Sequence, residues 1–185
     1  MSLSLMTVLA LLLSYVLGSI PSGLWLGVWL RGVDIRNEGS KNIGKPLGAT
    51  ALFFDILKGV VPVVLFARLS PGDLHLPLAC GVAAVLGHSF SLFLRFKGGK
   101  GVATSAGVFL GVATWPALIA IGTFVVLVAL TRMVSVGSIG GAIALTISVW
   151  LFPLTLIVQI VAVLVSALVI VKHRSNVKRI IQGEE

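Results

Sequence analysis

The stretch Phe96-Lys97-Gly98-Gly99-Lys100-Gly101-Val102-Ala103-Thr104 sets two lysines and three glycines in succession inside an otherwise apolar chain. It divides two apolar runs, so its reading decides how the chain is cut into segments. Glycine lets backbone approach a ligand closely and adopt φ > 0, and consecutive N–H groups can then converge on an anion. A helix starting near Gly101 would add its positive N-terminal end, and Lys100 a full charge. No G-x-x-x-x-G-K-[ST] can be spelled here, so this is not a Walker A loop. Two readings remain from these residues alone: a phosphate site, or a basic interfacial turn touching lipid head groups.

Outward from this stretch, the composition decides the class. The 185 residues are 57% hydrophobic and 11% charged, with a mean hydropathy of +1.11. A soluble domain of this length has no use for so much apolar surface, which makes the chain a polytopic, all-α membrane protein. The net charge is +8, with Lys and Arg clustered between apolar runs. That clustering fits a topology signal with anionic ligands or lipids as partners, and argues against nucleic acid. Cys80, the single cysteine, lies in an apolar run and reads as a small buried hydrophobe. Neither a disulfide nor a cysteine metal site can form within one chain. Met1-Ser2-Leu3-Ser4-Leu5-Met6 lacks the basic residues that open a signal peptide, so the first run is expected to stay as a membrane helix.

Apolar segments are expected at 3–30, 47–69, 74–92, 101–113, 115–131, 134–152 and 154–171. A crossing takes about 20 residues, so the fourth is short and the third and fifth are marginal. Short, Gly-interrupted helices are tolerated where backbone lines a polar cavity. Of the 14 basic residues, 12 follow odd-numbered segments; only Lys58 and Arg68 do not. The expected architecture is therefore a compact bundle of seven transmembrane helices, some short or broken, forming one domain over residues 1–185. By the positive-inside rule its N-terminus is outside and its C-terminus cytoplasmic.

Candidate polar groups lie along this frame. Gly18-Ser19-Ile20-Pro21-Ser22-Gly23 weakens segment one, and Ser135 and Ser138, three apart in segment six, can share a face. The loop 31–46 combines turn formers, hydroxyl and amide groups and four cations, which fits either an ordered anion site or a topology-setting loop. Asp55 and Lys58 are spaced to neutralise one another on one helix face. His88 reads as an interfacial histidine bonded to backbone, or as an acid/base group. In the tail, His173, Asn176 and Arg179 fall at i, i+3 and i+6, opposite Val177 and Ile181.

Three motifs together carry a resemblance that covers nearly the whole chain. They are Gly39-Ser40-Lys41-Asn42-Ile43-Gly44; Gly87-His88-Ser89-Phe90 leading to Phe96–Thr104; and His173-Arg174-Ser175-Asn176-Val177-Lys178-Arg179 with Gly183 and Glu185. The chain resembles the bacterial membrane glycerol-3-phosphate acyltransferases that use acyl phosphate as donor. The resemblance implies a multi-pass protein of the bacterial inner (plasma) membrane, functional as a monomer, with its active site facing the cytoplasm. It implies transfer of a fatty acyl group to the 1-hydroxyl of glycerol 3-phosphate, giving lysophosphatidic acid and phosphate in phospholipid synthesis. Ser40, Lys100, His173 and Asn176 would form the catalytic set. Gly39, Asn42, Gly44, Lys97, Gly98, Gly99, Gly101, Thr104, Ser135, Ser138 and Arg179 would bind substrate.

Physical chemistry agrees with these expectations. Acyl phosphate is already activated, so neither a cofactor nor a metal is expected. Alignment of hydroxyl and carbonyl, with stabilisation of developing negative charge, suffices. No Ser-His-Asp or Cys-His arrangement stands out, which favours direct transfer over an acyl-enzyme. Phe93 and Lys178 occupy the places where an H-x-x-x-x-D acyltransferase would carry an acid after His88 and His173. Either His173 or a substrate phosphate would take the proton. One departure stands out: the family's first motif continues past Asn-x-Gly with Ala-Thr-Asn and an arginine, whereas here Ile43-Gly44 runs into Lys45-Pro46-Leu47-Gly48. The register kept downstream favours a segment missing between Gly44 and Lys45 over an impaired enzyme. The alternatives from other classes are a small transporter for a phosphorylated solute, or a structural protein recruiting anionic lipid.

Overall fold

A computed structural model describes residues 3–32 and 44–184. Among these residues every regular element is a helix, without strands. The helices are α1 (Leu3–Ser19), α2 (Ser22–Arg31), α3 (Gly44–Leu69), α4 (His75–Ser89), α5 (Val102–Val112), α6 (Thr114–Thr131), α7 (Val134–Ser148), α8 (Leu156–Lys172) and α9 (Arg174–Ile181). A 3-10 turn at Leu92–Leu94 follows α4.

The apolar segments read from the sequence reappear with two breaks. Segment one bends by 45° between α1 and α2, and the last run bends by 51° between α8 and α9. Pro21 caps the start of α2, where its missing N–H costs nothing. Three helices among the described residues are long and apolar enough to cross a membrane, or five if each bent pair is one span. Helices α5 and α7, at 11 and 15 residues, are shorter than a full crossing. The first motif's last residue, Gly44, opens α3. Gly39, Ser40 and Asn42 lie outside the described residues.

Large apolar side chains such as Leu13, Trp29, Leu130 and Leu164 stay exposed on the outer faces, as a lipid-facing surface requires. With lipid as apolar as the core, burial of hydrocarbon gains little, and helices associate by close packing of small residues. Helices α3 and α5 show this directly. A Cβ on Gly59 would lie 2.1 Å from the Thr104 carbonyl oxygen, and one on Gly107 would lie 2.1 Å from that of Ile56. The same contact recurs between α1 and α4, the other tightly paired helices on that side. The central packing layer joins Val63, Val85, Phe109, Val149 and Val158. Cys80 is fully buried, as a small hydrophobe would be.

Candidate active site

The polar groups gather where α1 and α4 end, α5 begins and α8 gives way to α9. Helix ends leave carbonyls without intrahelical partners, and in a membrane each must be met by protein. At the end of α4, three successive carbonyls are taken by three different elements. The Gly99 N–H donates to His88 O at 3.0 Å, Lys172 Nζ to Ser89 O at 2.7 Å, and the Tyr15 hydroxyl to Phe90 O at 2.6 Å. At the end of α1, Ser91 Oγ donates to Ser19 O, and Lys58 Nζ to Ile20 O at 2.7 Å. Lys172 also stands over the Phe90 ring, 4.2 Å from its centroid.

On this scaffold the lysine–glycine loop leads into α5. Arg95 and Phe96 both hold positive φ, 51° and 62°, an unusual pair for side-chain-bearing residues. Gly101 at φ 81° supplies the left-handed residue before α5. The helix expected to start near Gly101 is therefore present. The expectation that successive loop amides converge on an anion is modified, because the Gly99 N–H already serves His88 O. Lys100 is half-buried and its Nζ donates to Asn176 Oδ1. That bond joins the second motif to the third.

His173 and Asn176 are 2% and 5% exposed, buried although they lie on the charged tail. The bend between α8 and α9 does this, with His173 as the hinge residue capping both helices. Its carbonyl accepts from the Asn176 and Val177 amides. Its Nδ1 lies 2.7 Å from Val169 O. A carbonyl can only accept, so Nδ1 carries a proton and Nε2 is the ring's other nitrogen. Asn176 is fixed by Lys100, and α9 orients the pair.

The remaining expected site residues divide. Ser135 and Ser138 are buried at the start of α7, and Ser138 Oγ donates back to Val134 O at 2.8 Å. Thr104 is fully buried on α5. Gly98 is half-buried, Lys97 and Gly99 are exposed, and Gly44, at φ 78°, opens α3 from an exposed position. Arg179 is exposed with Val177 and Ile181, so the tail buries His173 and Asn176 but not the third member of the expected stack. Asp55 and Lys58 form the expected ion pair at 2.5 Å. His88 faces that pair, with Nδ1 3.9 Å from Asp55 Oδ1. Lys172 reaches Ser89 O from the end of α8, and its position immediately before His173 is the one signal of this in the sequence.

Beside the polar cluster an apolar cavity of about 230 Å³ opens between α3, α5, α6, α7 and α8. Ile56, Phe109, Phe124, Ala142 and Leu145 line it, and Ser105, Ser138 and Ser166 supply its few hydroxyls. No group of three or more His, Cys, Asp and Glu able to hold a metal occurs among the described residues.

The pattern of the family described as "Glycerol-3-phosphate acyltransferase" matches residues 8–183. This chain belongs to that family. It is thus an acyltransferase, an integral membrane enzyme of phospholipid biosynthesis, and the transporter and structural readings are set aside. Among its relatives, the glycerol-3-phosphate acyltransferase of Trichlorobacter lovleyi is 45% identical over 181 residues, covering 93% of this chain and 92% of its own. That of Enterococcus faecalis is 39% identical, covering 96% of this chain and 90% of its own. The fold is similar to the crystal structure of PlsY (YgiH), an integral membrane glycerol 3-phosphate acyltransferase, in its glycerol 3-phosphate form. That similarity has a TM-score of 0.90 at 32% identity and covers 97% of this chain and 94% of the other. The lysophosphatidic acid form of the same protein gives a TM-score of 0.84 at 31% identity. The second and third motifs thus meet at the junction of α4, α5, α8 and α9.

Proposed function

We propose that this acyltransferase takes its acyl group from acyl phosphate and passes it directly to the 1-hydroxyl of glycerol 3-phosphate, releasing lysophosphatidic acid and phosphate. The observation that carries this reading is the Lys100–Asn176 hydrogen bond, which brings the second and third motifs together beside an apolar cavity. Both substrates carry a phosphate, and one carries an alkyl chain. Cations and an apolar cavity side by side suit that combination.

In this reading Lys100 and Asn176 hold glycerol 3-phosphate, with Ser40, Ser135 and Ser138 as further polar contacts. The first turn of α5 and Gly101 face the donor phosphate, where amides without intrahelical partners favour negative charge. Gly39, Asn42 and Gly44 of the first motif and Lys97 and Arg179 extend the anionic binding surface. Gly98, Gly99 and Thr104 shape the loop and its following helix. The acyl chain lies along Phe109, Phe124 and Leu145.

The 1-hydroxyl oxygen attacks the acyl carbonyl carbon while its proton passes to His173 Nε2. The tetrahedral oxyanion then collapses, the carbon–oxygen bond to phosphate breaks, and phosphate leaves with the electron pair. Fixing nucleophile and carbonyl together supplies much of the acceleration, and Lys100 supplies electrostatic stabilisation. No covalent acyl-enzyme, cofactor or second subunit enters. The seven-segment pattern and its basic loops support a site at the cytoplasmic face of the bacterial inner membrane, with α9 along the interface.

The test is purified protein in detergent with glycerol 3-phosphate and palmitoyl phosphate, following lysophosphatidate and phosphate together. Equal amounts of the two products are expected. His173→Ala should lower kcat by about 10²–10⁴-fold, the usual contribution of a general base. A His173→Ala enzyme that keeps wild-type kcat would move the proton acceptor to a substrate phosphate. Product from a thioester donor but none from palmitoyl phosphate would overturn the donor assignment.

A further inference from the structure

Two glycines of the lysine–glycine loop are filled from inside the protein. A Cβ on Gly99 would lie 2.3 Å from His88 Nε2, with the ring carbons Cδ2 and Cε1 at 3.1 Å. A Cβ on Gly98 would lie 2.1 Å from the His88 carbonyl oxygen. The same carbonyl accepts the Gly99 N–H at 3.0 Å. One residue therefore meets the loop twice, through its ring and through its backbone.

Behind His88 lies the ion pair of α3. The His88 Nδ1 lies 3.9 Å from Asp55 Oδ1, a close approach longer than a hydrogen bond. Asp55 pairs with Lys58 at 2.5 Å. Lys58, 6% exposed, donates to Ile20 O at the break between α1 and α2. The series thus runs from the kink of the first span, through α3, to the residue before Lys100. A charged pair in a membrane protein is costly unless it has work to do, and here its contacts end on the loop.

We infer that His88 is a positioning residue for acyl transfer. Backed by Asp55 and Lys58, its ring fixes the height of the loop and so the reach of Lys100 toward Asn176. Gly98 and Gly99 are glycines because His88 occupies the space that a side chain would need. Gly101, at φ 81° before α5, is the one whose backbone conformation demands glycine. This inference rests on the assignment of Lys100 to substrate binding made above.

A double-mutant cycle tests it. A methyl group at position 99 collides with the His88 ring, so Gly99→Ala alone should displace the loop; misplacements of about 1 Å can cost a hundredfold in rate. Gly99→Ala should therefore lower kcat/KM at least about tenfold. His88→Ala should raise KM for glycerol 3-phosphate several-fold, because Lys100 loses its fixed place. A purely structural defect would lower the active fraction, and hence apparent kcat, without moving KM. His88→Ala/Gly99→Ala should be no worse than His88→Ala, since the collision is gone. A double variant as impaired as the product of the two singles would overturn the inference, as would Gly99→Ala with wild-type kinetics.

The same cycle read in the apparent Tm of the detergent-solubilised protein needs no substrate. Gly99→Ala should lower Tm, and His88→Ala in that background should restore part of the loss. If the wild-type enzyme makes no product from palmitoyl phosphate, the donor assignment fails, and the Tm cycle still decides the collision. Additive Tm losses would overturn the role of His88.

Discussion

Replacing Lys100 by Met keeps the alkyl stem and removes only the ammonium. In the structure that ammonium donates to Asn176 Oδ1, and Asn176 is 5% exposed. A hydrogen bond to a charged group contributes about 1.5–3 kcal/mol. At 1.36 kcal/mol per decade, its loss corresponds to roughly ten- to 160-fold in kcat/KM, if the bond is realised in the transition state. Loss of the charge facing a substrate phosphate adds to that. The buried Asn176 oxygen would also be left without this donor, so Lys100→Met should cost more than Lys100→Arg.

The assay is lysophosphatidate formation by wild type, Lys100→Met, Asn176→Ala and the double variant, each purified in the same detergent and compared at saturating palmitoyl phosphate. Two residues acting as one unit are non-additive, so the double variant should lose little beyond the worse single. Losses that multiply would mean that the two side chains act separately. A Lys100→Met enzyme within about threefold of wild type in kcat/KM would refute the assignment of this lysine to substrate, because the minimum expected loss is about tenfold.

Packing and selectivity give two further expectations. Gly59→Ala places a methyl group 2.1 Å from the Thr104 carbonyl oxygen, which is backbone and cannot swing aside. Overpacking of this kind costs about 1–3 kcal/mol, so apparent Tm should fall by roughly 2–12 °C; an unchanged Tm would mean that α3 and α5 pack less closely. Ala142, 8% exposed, lines the cavity assigned to the acyl chain. Ala142→Trp should lower kcat/KM for palmitoyl phosphate more than for a ten-carbon acyl phosphate, and an unchanged ratio of the two would place the chain elsewhere.

Much of the site was legible because it is local. Lys100 beside glycines, and His173 three residues before Asn176, are readable from spacing alone. So was the Asp55–Lys58 pair, since i, i+3 residues meet on any helix. The partners of these groups were not legible. Spacing grouped Arg179 with His173 and Asn176, but could not tell that the first two are buried while Arg179 is exposed. It left His88 as an interfacial histidine or an acid/base group, and could not show that the ring sits between Asp55 and Gly99. Lys172 looked like one more tail charge until it reached Ser89 O on another helix.

By itself the sequence determined the membrane class, the apolar segments, the weak point near Pro21 and the motifs that carry family membership, but not the 51° bend after Lys172. These depend on composition, on turn-forming residues and on neighbours within one or two helical turns. Only the tertiary structure decided which loop amide is already used, why Gly98 and Gly99 have no side chains, and how a lysine at 100 meets an asparagine at 176. Those outcomes depend on contacts between residues far apart in the chain. In a membrane they are enforced because each carbonyl at a broken or ended helix must find a donor within the protein.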